Sequence, residues 1–420
     1  MQAKVAMLHY TCPPVVGGVE AVMAAHARLF AARGYPVTML AGRGSDNQFS
    51  SPGVQTSIES LFDSKNERLL QINRALDKGE VPPDFEVYAR EVYLRLAELL
   101  EGFDFCIVHN AFTMHKNLPL SVALVKAAEN LKVSFIGWTH DLAWADPLYK
   151  NVLYDRYPWN LLKQPVAQVK YVTVSPQRQQ SLCEIFMPAL TPDQVSVVPN
   201  GIGLEDFLAI GKETRELLEQ TGISAARREG ALLLLLPSRI TRRKNIETAI
   251  MVTVRLKELG QNPRLIVTGP PGPHNIRNDE YVRELFELRD KEGIRDETIF
   301  LVESWQDEEK KPRPVSDSVV TDLYRYCDAL LFPSAQEGFG IPILEAALAR
   351  LPIFCSDIPP LRQLVGNYAT CFAPDEEPEI IAGKLIEALD QNPAYRLRRE
   401  TILNFSWDGI FERQIAPLLR

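Results

Sequence analysis

The segment ALLFPSAQEGFGIPILEAALA, residues 329–349, contains a short apolar run, a polar loop with two glycines and an alanine-rich helical run in direct succession. The run ALLF predicts a buried strand, and Pro342 suits the first turn of the helix that follows, where its missing N–H would have no partner anyway. A strand that leads through a short loop into a helix is the repeating unit of a parallel sheet. The segment therefore predicts an α/β fold, and its loop lies where such sheets bind ligands, beyond the carboxyl end of a strand.

Apolar runs of the same kind recur along the whole chain. They are VAMLHY, PVTMLA, FCIVHN, VSFIGW, YVTVS and VSVVP in the first half, and ALLLLLP, RLIVTG, TIFLVE, ALLFPS, IFCSD and TCFA in the second. Strands that are apolar throughout and are separated by helix-length segments indicate parallel sheets covered on both faces. The predicted fold class is α/β, with two Rossmann-like doubly wound parallel-sheet domains facing a cleft.

A chain of 420 residues fits two domains of roughly 200 residues each. The cluster of Pro, Asn and Gly in PNGIGLEDF, residues 199–207, predicts the hinge between them. We therefore expect an N-terminal domain over residues 1–200, a C-terminal domain over 201–400, and a final helix over 401–420 that packs back toward the N-terminal domain. Residues 57–100 are rich in charge at helical spacing and predict helices inserted in the first domain.

The composition excludes several classes of protein. With 46 basic and 54 acidic residues the net charge is −8, which argues against general nucleic-acid binding. No segment approaches the roughly 20 apolar residues of a membrane-spanning helix, and the first residues predict a buried strand rather than an export signal. We expect a cytoplasmic protein, with weak peripheral membrane contact left open. The six cysteines are scattered singly and predict buried thiols, not a metal site.

The loop and helix of the first segment carry two carboxylates, Glu337 and Glu345. Glu337 lies beside glycines that leave backbone N–H groups exposed and allow a ligand to approach closely. Two acceptors at different depths of one pocket suit the adjacent hydroxyls of a sugar and of a ribose. The alternative for Glu345 is an ordinary charge near a helix N-terminus.

A basic loop, SRITRRKN at residues 238–245, follows the most apolar strand of the second half and leads into another helix. Arg239 and Lys244 supply the cations that a diphosphate needs at a helix N-terminus. Arg242 and Arg243 are expected to face solvent, and a wholly solvated basic loop is the alternative.

The first half places glycines and a histidine after strands. Gly17 and Gly18 follow the first strand, but a GxGxxG pattern is absent, which disfavours a nicotinamide enzyme. His140 and Asp141 follow the run VSFIGW, so His140 is a candidate contact to substrate, and a structural hydrogen bond is the alternative. His109, at another strand end, competes for the same role.

The chain resembles the retaining GT-B glycosyltransferases of family 4, also called glycosyl transferases group 1. The resemblance runs nearly end to end through GGVE, THD, VVPNGI, SRITRRKN and FPSAQEGFGIPILEAALARLPIFCSDIPPLRQLV, and the part EGFGIPILE is highly specific. It implies that Arg239 and Lys244 hold the diphosphate of a nucleotide sugar. It also implies that Gly17 and Gly18 face the phosphates, and that His140 lies near the reacting carbon.

The same resemblance assigns the remaining site residues. Glu337, with the backbone N–H groups of Phe339 and Gly340, would hold the transferred sugar, and Glu345 would hold the ribose. The implied reaction retains the anomeric configuration, with the acceptor proton passing to a donor phosphate oxygen. Such a reaction depends on stabilising a departing diphosphate and requires no metal.

The resemblance implies no permanently bound cofactor and a UDP- or GDP-sugar as donor, with glucose or mannose as the transferred hexose. The acceptor, an unidentified sugar, lipid or small molecule, would be bound by first-domain loops, here Asp46–Asp84 and His109–Asn117. The oligomeric state is not predicted. The alternatives are another GT-B activity such as an epimerase or phosphorylase, a carboxylate-pair glycosidase, and a non-catalytic nucleotide-sugar-binding protein.

Overall fold

The structure, a computed structural model, describes residues 2–45, 51–272 and 277–419. These residues form two compact units. The first unit contains the chain up to Gly201 together with the segment from Ile410 onward, and the second contains Ile202–Gly409. Within the described residues, no helix is long and apolar enough to cross a membrane.

The first unit is built on a seven-stranded sheet in which all paired strands are parallel. Its strands are β1 (Val5–Thr11), β2 (Val37–Arg43), β3 (Val54–Ile58), β4 (Phe105–His109), β5 (Ser134–Thr139), β6 (Val169–Thr173) and β7 (Val195–Val197). Their order across the sheet is β3-β2-β1-β4-β5-β6-β7. Every residue of β1 is buried, as expected for a central strand covered on both faces.

The edge strand β3 is missing from the strands that the sequence predicts. Its sequence VQTSI has three consecutive polar residues between two apolar ones, and none of its residues is fully buried. An edge strand pairs on one side only and needs no continuous apolar run, so the pattern that identifies central strands does not detect it.

Five helices flank this sheet. They are α1 (Gly18–Ala32), α2 (Glu67–Leu76), α3 (Asp84–Leu99), α4 (Leu118–Asn130) and α5 (Pro176–Phe186). The predicted inserted helices are confirmed as α2 and α3, which are separated by a turn with Gly79 at φ 82°. The Asn66 side chain caps α2 by accepting hydrogen bonds from the N–H groups of Arg68 and Leu69, at 3.0 and 3.3 Å.

The second unit repeats the pattern with six strands. They are β8 (Leu232–Leu236), β9 (Pro263–Val267), β10 (Thr298–Phe300), β11 (Ala329–Phe332), β12 (Ile353–Ser356) and β13 (Thr370–Phe372), in the order β10-β9-β8-β11-β12-β13. Leu233 and Leu235 of β8 join one apolar cluster, whereas Leu232, Leu234 and Leu236 join another. Successive side chains of a strand point to opposite faces, so the five leucines fill the core on both sides of the sheet.

The helices of the second unit follow the same alternation. They are α6 (Leu204–Phe207), α7 (Lys212–Gln220), α8 (Ile223–Arg228), α9 (Ile246–Glu258), α10 (Arg277–Lys291), α11 (Leu301–Ser304), α12 (Asp317–Tyr326), α13 (Ile341–Leu348), α14 (Pro359–Val365), α15 (Pro378–Asp390) and α16 (Pro393–Phe405). The predicted α/β class, with doubly wound parallel sheets, is confirmed in both units.

The end of the chain is not one helix over residues 401–420. The helix α16 ends at Phe405, and a short helix α17 (Trp407–Ile410) is followed by a π-helical turn over Phe411–Ile415 and a 3-10 helix over Ala416–Leu419. Ser406 forms a parallel β-bridge with Ile202, and the Ile202 N–H donates to the Phe405 carbonyl at 2.7 Å. This strand-like pairing holds Ser406 out of helical conformation, so the helix is interrupted there.

In each sheet, the direction in which successive strands are added changes once. Successive connections run outward from β1 through β2 on one side and from β4 through β5 on the other. The same reversal separates β8 from β11 in the second unit. At such a switch point the loops after the two central strands diverge, which opens a crevice for a ligand at the carboxyl end of the sheet.

Candidate active site

The switch point of the second unit joins the basic loop after β8 to the glycine loop after β11. The backbone N–H of Ala335 donates to the Arg243 carbonyl at 2.9 Å, which ties the two loops together. They meet because β8 and β11 are hydrogen-bonded neighbours in the sheet. Two motifs that lie far apart in the sequence therefore form one site.

Lys244 and Glu337 form an ion pair at this junction. The Lys244 ammonium donates to Glu337 Oε1 and lies 4.9 Å from the centroid of the Phe332 ring. Only 9% of the Lys244 side chain and 8% of the Glu337 side chain are exposed. Arg243 approaches the other carboxylate oxygen, Glu337 Oε2, at 4.0 Å, but its own side chain is 54% exposed. A buried charge requires a partner of opposite sign, so each member of the pair depends on the other.

The two loops that form this junction also contain buried hydroxyls without a partner among the described residues. The hydroxyls of Ser238, Thr241 and Ser334 are buried and form no hydrogen bond to any residue in the described ranges. Ser238 and Thr241 belong to the loop after β8, and Ser334 belongs to the loop after β11. Buried hydroxyls are normally satisfied, so this group of three gives the junction the character of a polar binding site.

Arg239 occupies a different position from Lys244. Its side chain is exposed and makes no ion pair with a described residue. Its backbone is held closely against Gly269: a Cβ atom at Gly269 would lie 2.1 Å from the Ser238 carbonyl oxygen and 2.6 Å from the Arg239 Cα. Gly269 is therefore needed for the two loops to pack, and the Arg239 guanidinium is available to a ligand.

The glycine loop exposes backbone donors. Gly340 has φ 109°, a backbone conformation that favours glycine, and a Cβ atom there would also lie 2.5 Å from Leu361 Cδ2. The Phe339 side chain is 54% exposed. The N–H groups of Phe339 and Gly340 donate to no atom of the described residues. Both groups precede α13, where N–H donors favour an anionic or hydroxyl-rich ligand.

Glu345 lies one turn into α13 and is oriented by a tyrosine. The Tyr324 hydroxyl of α12 donates to Glu345 Oε2 at 2.7 Å. Burial raises the pKa of Tyr324, and its bond to the Glu345 carboxylate raises it further, so the hydroxyl keeps its proton and remains the donor. Both residues line a cavity of about 530 Å³ between α12 and α13. Within the described residues, no hydrogen bond or ion pair joins the Glu345 side chain to Lys244 or Glu337.

In the first unit, Asn110 organises the segment that contains His140. Asn110 follows the last residue of β4 and has φ 61°, a left-handed conformation that asparagine tolerates better than most residues. Its side-chain oxygen accepts from the N–H groups of His140 and Asp141 at 2.8 and 3.0 Å. Its amide donates to Asp141 Oδ2 at 3.1 Å. One side chain thus fixes the direction of the chain after β5.

Four histidines lie buried around this segment: His9, His26, His109 and His140. His109 Nδ1 is 3.1 Å from His140 Nε2, and His9 Nδ1 is 3.1 Å from the His109 carbonyl oxygen. Burial lowers the pKa of His140 to about 4 and that of His26 to about 3. Burial and the other histidines also hold the pKa of His109 well below its ordinary value. His140 is therefore a neutral ring near neutral pH, positioned by His109.

Gly17 and Gly18 lie at the start of α1. Gly17 is the N-cap residue in extended conformation, and a Cβ atom there would lie 2.1 Å from the Glu20 carboxylate. That carboxylate accepts a hydrogen bond from the Thr11 hydroxyl and lies 3.8 Å from His9 Nε2. Gly17 thus leaves room for Glu20 to fold back over the helix N-terminus.

The structure brings Lys244 and Glu337 into contact. In the same unit, Arg239 is exposed to solvent and Glu345 is hydrogen-bonded to Tyr324. Two positioning residues, Tyr324 and Asn110, are absent from the sequence predictions. Asn110 carries a readable signal, since an asparagine directly after a strand favours a left-handed turn. Tyr324 carries no such signal, because its helical segment contains a second tyrosine, Tyr326, only two positions away.

Two family models match the chain. Glycosyltransferase Family 4 matches residues 16–206, and Glycosyl transferases group 1 matches residues 223–403. The chain belongs to glycosyltransferase family 4. It is a transferase of the GT-B fold class with two Rossmann-like domains, and the resemblance inferred from its motifs is confirmed.

Curated relatives of this family-4 glycosyltransferase include two named mannosylglucosylglycerate synthase. The one from Petrotoga mobilis is 24% identical over 74% of this chain and 73% of its own length. The one from Thermotoga maritima is 24% identical over 85% of this chain and 83% of its own length. The chain is also similar to the solved sucrose-phosphate synthase of Thermosynechococcus elongatus, with 16% identity, a TM-score of 0.40, and 99% of this chain and 98% of that chain covered.

Proposed function

We propose that this glycosyltransferase transfers a hexose, glucose or mannose, from a UDP- or GDP-sugar to an acceptor with retention of anomeric configuration. The observation that carries the proposal is the buried Lys244–Glu337 pair among unpartnered hydroxyls at the switch point. A nucleotide sugar presents a diphosphate beside a polyol, and this site presents a cation beside a carboxylate. Two relatives are named mannosylglucosylglycerate synthase, a name that contains both sugars, which supports glucose or mannose as the hexose.

The donor is assigned to residues by its chemistry. The diphosphate is held by Lys244 and by the exposed guanidinium of Arg239. The hexose hydroxyls are held by Glu337 together with the N–H groups of Phe339 and Gly340. The carboxylate of Glu345, oriented by Tyr324, accepts hydrogen bonds from the ribose hydroxyls, as its cavity beside α12 allows.

We assign His140 to the reacting sugar and Gly17 and Gly18 to the phosphates. A neutral imidazole with one nitrogen bonded to His109 has its other nitrogen left to contact a hydroxyl. Glycines at 17 and 18 let a ligand approach the backbone at the start of α1, where Gly18 has no atom within 4 Å of a Cβ position.

In the proposed reaction the bond between the anomeric carbon and the diphosphate breaks while the acceptor oxygen attacks from the same face. The acceptor proton passes to an oxygen of the departing phosphate. Negative charge grows on the diphosphate, so the transition state gains more from Lys244 and Arg239 than the ground state does. Cationic side chains supply this stabilisation, and the proposal requires no metal.

The test is a panel of UDP, GDP and ADP with their glucose and mannose conjugates. A ligand at a hundred times its dissociation constant raises the unfolding free energy by about 2.7 kcal/mol, and thermal denaturation detects this as a rise in Tm. The preferred conjugate is then incubated with and without acceptors, and NMR assigns the anomeric configuration of the product. Stabilisation by no nucleotide, or an inverted product, contradicts the proposal.

A further inference from the structure

A separate cavity lies in the first unit, and none of the residues assigned to the donor lines it. It has a volume of about 550 Å³ and lies between the start of α2, its last turn, and the loop that precedes α4. We refer to it as the α2–α4 pocket, and its defining residues are Lys65, Arg74, Asp77, His115, Lys116 and Trp159. Its volume falls within the range of roughly 300–1,000 Å³ that is typical of small-molecule sites.

The pocket has an excess of positive charge. Lys65, Arg74 and Lys116 line it, and Asp77 is its single carboxylate. None of the three cations forms an ion pair with a residue of the described ranges, whereas the neighbouring Arg68 pairs with both Asp84 and Glu91. The net charge of the chain is −8, and the neighbouring Arg68 is paired with carboxylates. A cluster of three cations without such partners therefore indicates a site for an anion.

His115 also lines the pocket, and a tyrosine outside the lining packs against it. His115 packs on Tyr149 with ring centroids 4.4 Å apart, and the Lys116 ammonium lies 4.4 Å above the same tyrosine ring. His115 Nδ1 is buried and has no hydrogen-bond partner among the described residues. Burial, and then the charge of Lys116, lower the pKa of His115 to about 4, so its ring is neutral near pH 7 and suits a hydroxyl group.

The walls of the pocket are held in place by hydrogen bonds. Asn73 on α2 donates to the Lys116 carbonyl at 3.2 Å. Tyr154 donates to the Asp77 carbonyl at 3.1 Å, and Arg156 donates to the Gly79 carbonyl at 2.5 Å. These bonds join three separate segments around the cavity before any ligand is present. A preformed site of this kind loses little conformational entropy on binding.

The loop that carries His115 and Lys116 also contacts the His140 segment. Thr113 donates its hydroxyl to the Asp141 carbonyl at 2.8 Å, and its own carbonyl accepts from the Ala143 N–H at 3.0 Å. Asn110, at the start of the same loop, holds the His140 and Asp141 N–H groups. The loop that carries the pocket residues His115 and Lys116 is thus hydrogen-bonded, through Asn110 and Thr113, to the segment that contains the histidine assigned to the reacting sugar.

We propose that the α2–α4 pocket binds the acceptor, and that the acceptor carries an anionic group, a phosphate or a carboxylate, held by Lys65, Arg74 and Lys116. This inference rests on the proposed function, because it names the substrate class of that transfer reaction. The anion anchors one end of the acceptor, and a hydroxyl at the other end extends toward His140. Residues 46–50 of the first predicted acceptor loop lie outside the described residues.

The test compares acceptors in matched pairs, using the donor that the nucleotide-sugar panel identifies. The pairs are glucose 6-phosphate with glucose, glucuronate with glucose, and glycerate with glycerol, so phosphate and carboxylate are distinguished. We expect the charged member of at least one pair to show a kcat/KM at least tenfold higher. Arg74→Ala and Lys116→Ala should each raise its KM about tenfold, and Lys116→Arg should restore part of the loss. Donor hydrolysis without acceptor should stay unchanged in all three variants.

A matched control is Arg90→Ala, which removes an exposed arginine of α3 that does not line the pocket. If neutral acceptors are used equally well and the pocket variants behave as wild type, the inference is overturned while the transferase function stands. If no nucleotide sugar binds or is hydrolysed, the proposed function itself fails.

A binding measurement covers the case in which no acceptor of the panel is glycosylated. Thermal denaturation at constant ionic strength compares glucose 6-phosphate and glucuronate with chloride in the Lys244→Ala variant, whose donor site is weakened. Stabilisation that disappears on adding Arg74→Ala or Lys116→Ala supports the pocket, and the absence of any stabilisation overturns it.

Discussion

Lys244 donates a hydrogen bond to the carboxylate of Glu337, 93 residues further along the chain, and both side chains are more than nine-tenths buried. Neither charge is stable in that place alone. The pair holds a cation and an anion side by side at the carboxyl ends of β8 and β11, in the order in which a diphosphate and a hexose follow one another in a nucleotide sugar.

Removing either member of the pair should lower turnover. We expect Lys244→Ala and Glu337→Gln each to reduce kcat at least about tenfold, which corresponds to about 1.4 kcal/mol of lost transition-state stabilisation. Initial rates at saturating donor measure the effect. Arg242→Ala is the matched control, since Arg242 is 59% exposed and pairs with Glu284 on the surface, and its rates should equal those of wild type.

Stability must be measured on the same variants, because breaking a buried ion pair costs about 3–5 kcal/mol by itself. Denaturant unfolding shows whether each variant is folded under assay conditions. Wild-type turnover in folded Lys244→Ala and Glu337→Gln proteins would refute the roles given to both residues.

Tyr324→Phe should weaken donor binding and leave the chemical step intact. The Tyr324 hydroxyl orients Glu345, so its loss leaves the carboxylate free to adopt other rotamers. A single hydrogen bond to a charged group contributes about 1.5–3 kcal/mol net, and because this bond orients Glu345 without touching the donor, we expect only part of it to appear in binding, as a rise in donor KM of about threefold to tenfold. Tyr368→Phe, at a side chain 97% exposed, is the control. A fall in kcat with constant KM would contradict this role for Tyr324.

Asn110 is expected to act as a positioning residue for His140. Asn110→Gly keeps the left-handed backbone without strain and removes the amide, whereas Asn110→Ala also strains the backbone by roughly 1–2 kcal/mol. Both variants should lower kcat by about tenfold, and only the alanine variant should lose that additional stability. Steady-state kinetics and denaturant unfolding separate the two effects. Full activity in Asn110→Gly would show that His140 needs no such support.

The buried histidines should make the first unit less stable in mild acid. Their pKa values are lowered on folding, so below the ordinary value of 6.5 the unfolded chain binds more protons than the folded chain. Stability is therefore complete above about pH 6.5 and falls as pH drops toward about 4, by about 1.4 kcal/mol per pH unit for each histidine. Hydrogen exchange of the β4 and β5 amides at pH 7 and 5 measures this loss. His140→Gln should reduce the dependence of the unfolding free energy on pH. An unchanged pH dependence would contradict the lowered pKa of His140.

Transfer should be insensitive to chelators. In the proposed reaction, Lys244 and Arg239 stabilise the negative charge that grows on the departing diphosphate. No group of three or more metal-ligating side chains occurs in the described residues. Rates measured after dialysis against EDTA should equal those measured with added Mg²⁺ or Mn²⁺. Strict dependence on a divalent ion would contradict the mechanism.

Much of the fold was readable because its signals are local. Continuous apolar runs predict twelve of the thirteen strands, and Gly340 before Pro342 predicts the turn into α13. The missing strand, β3, lies at a sheet edge, where partial burial removes the pattern. The motif EGFGIPILE likewise identified the family, since its loop and helix start are formed by neighbouring residues.

The amino-acid sequence by itself determined the parallel α/β architecture and the two segments that build the candidate site. Only the tertiary structure decided that Lys244, and not Arg239, pairs with Glu337, that Tyr324 orients Glu345, and that Asn110 holds His140. Those contacts join residues 93, 21 and 30 positions apart. Which side chains meet over such separations depends on which strands and helices lie next to each other, and that order is a property of the folded chain.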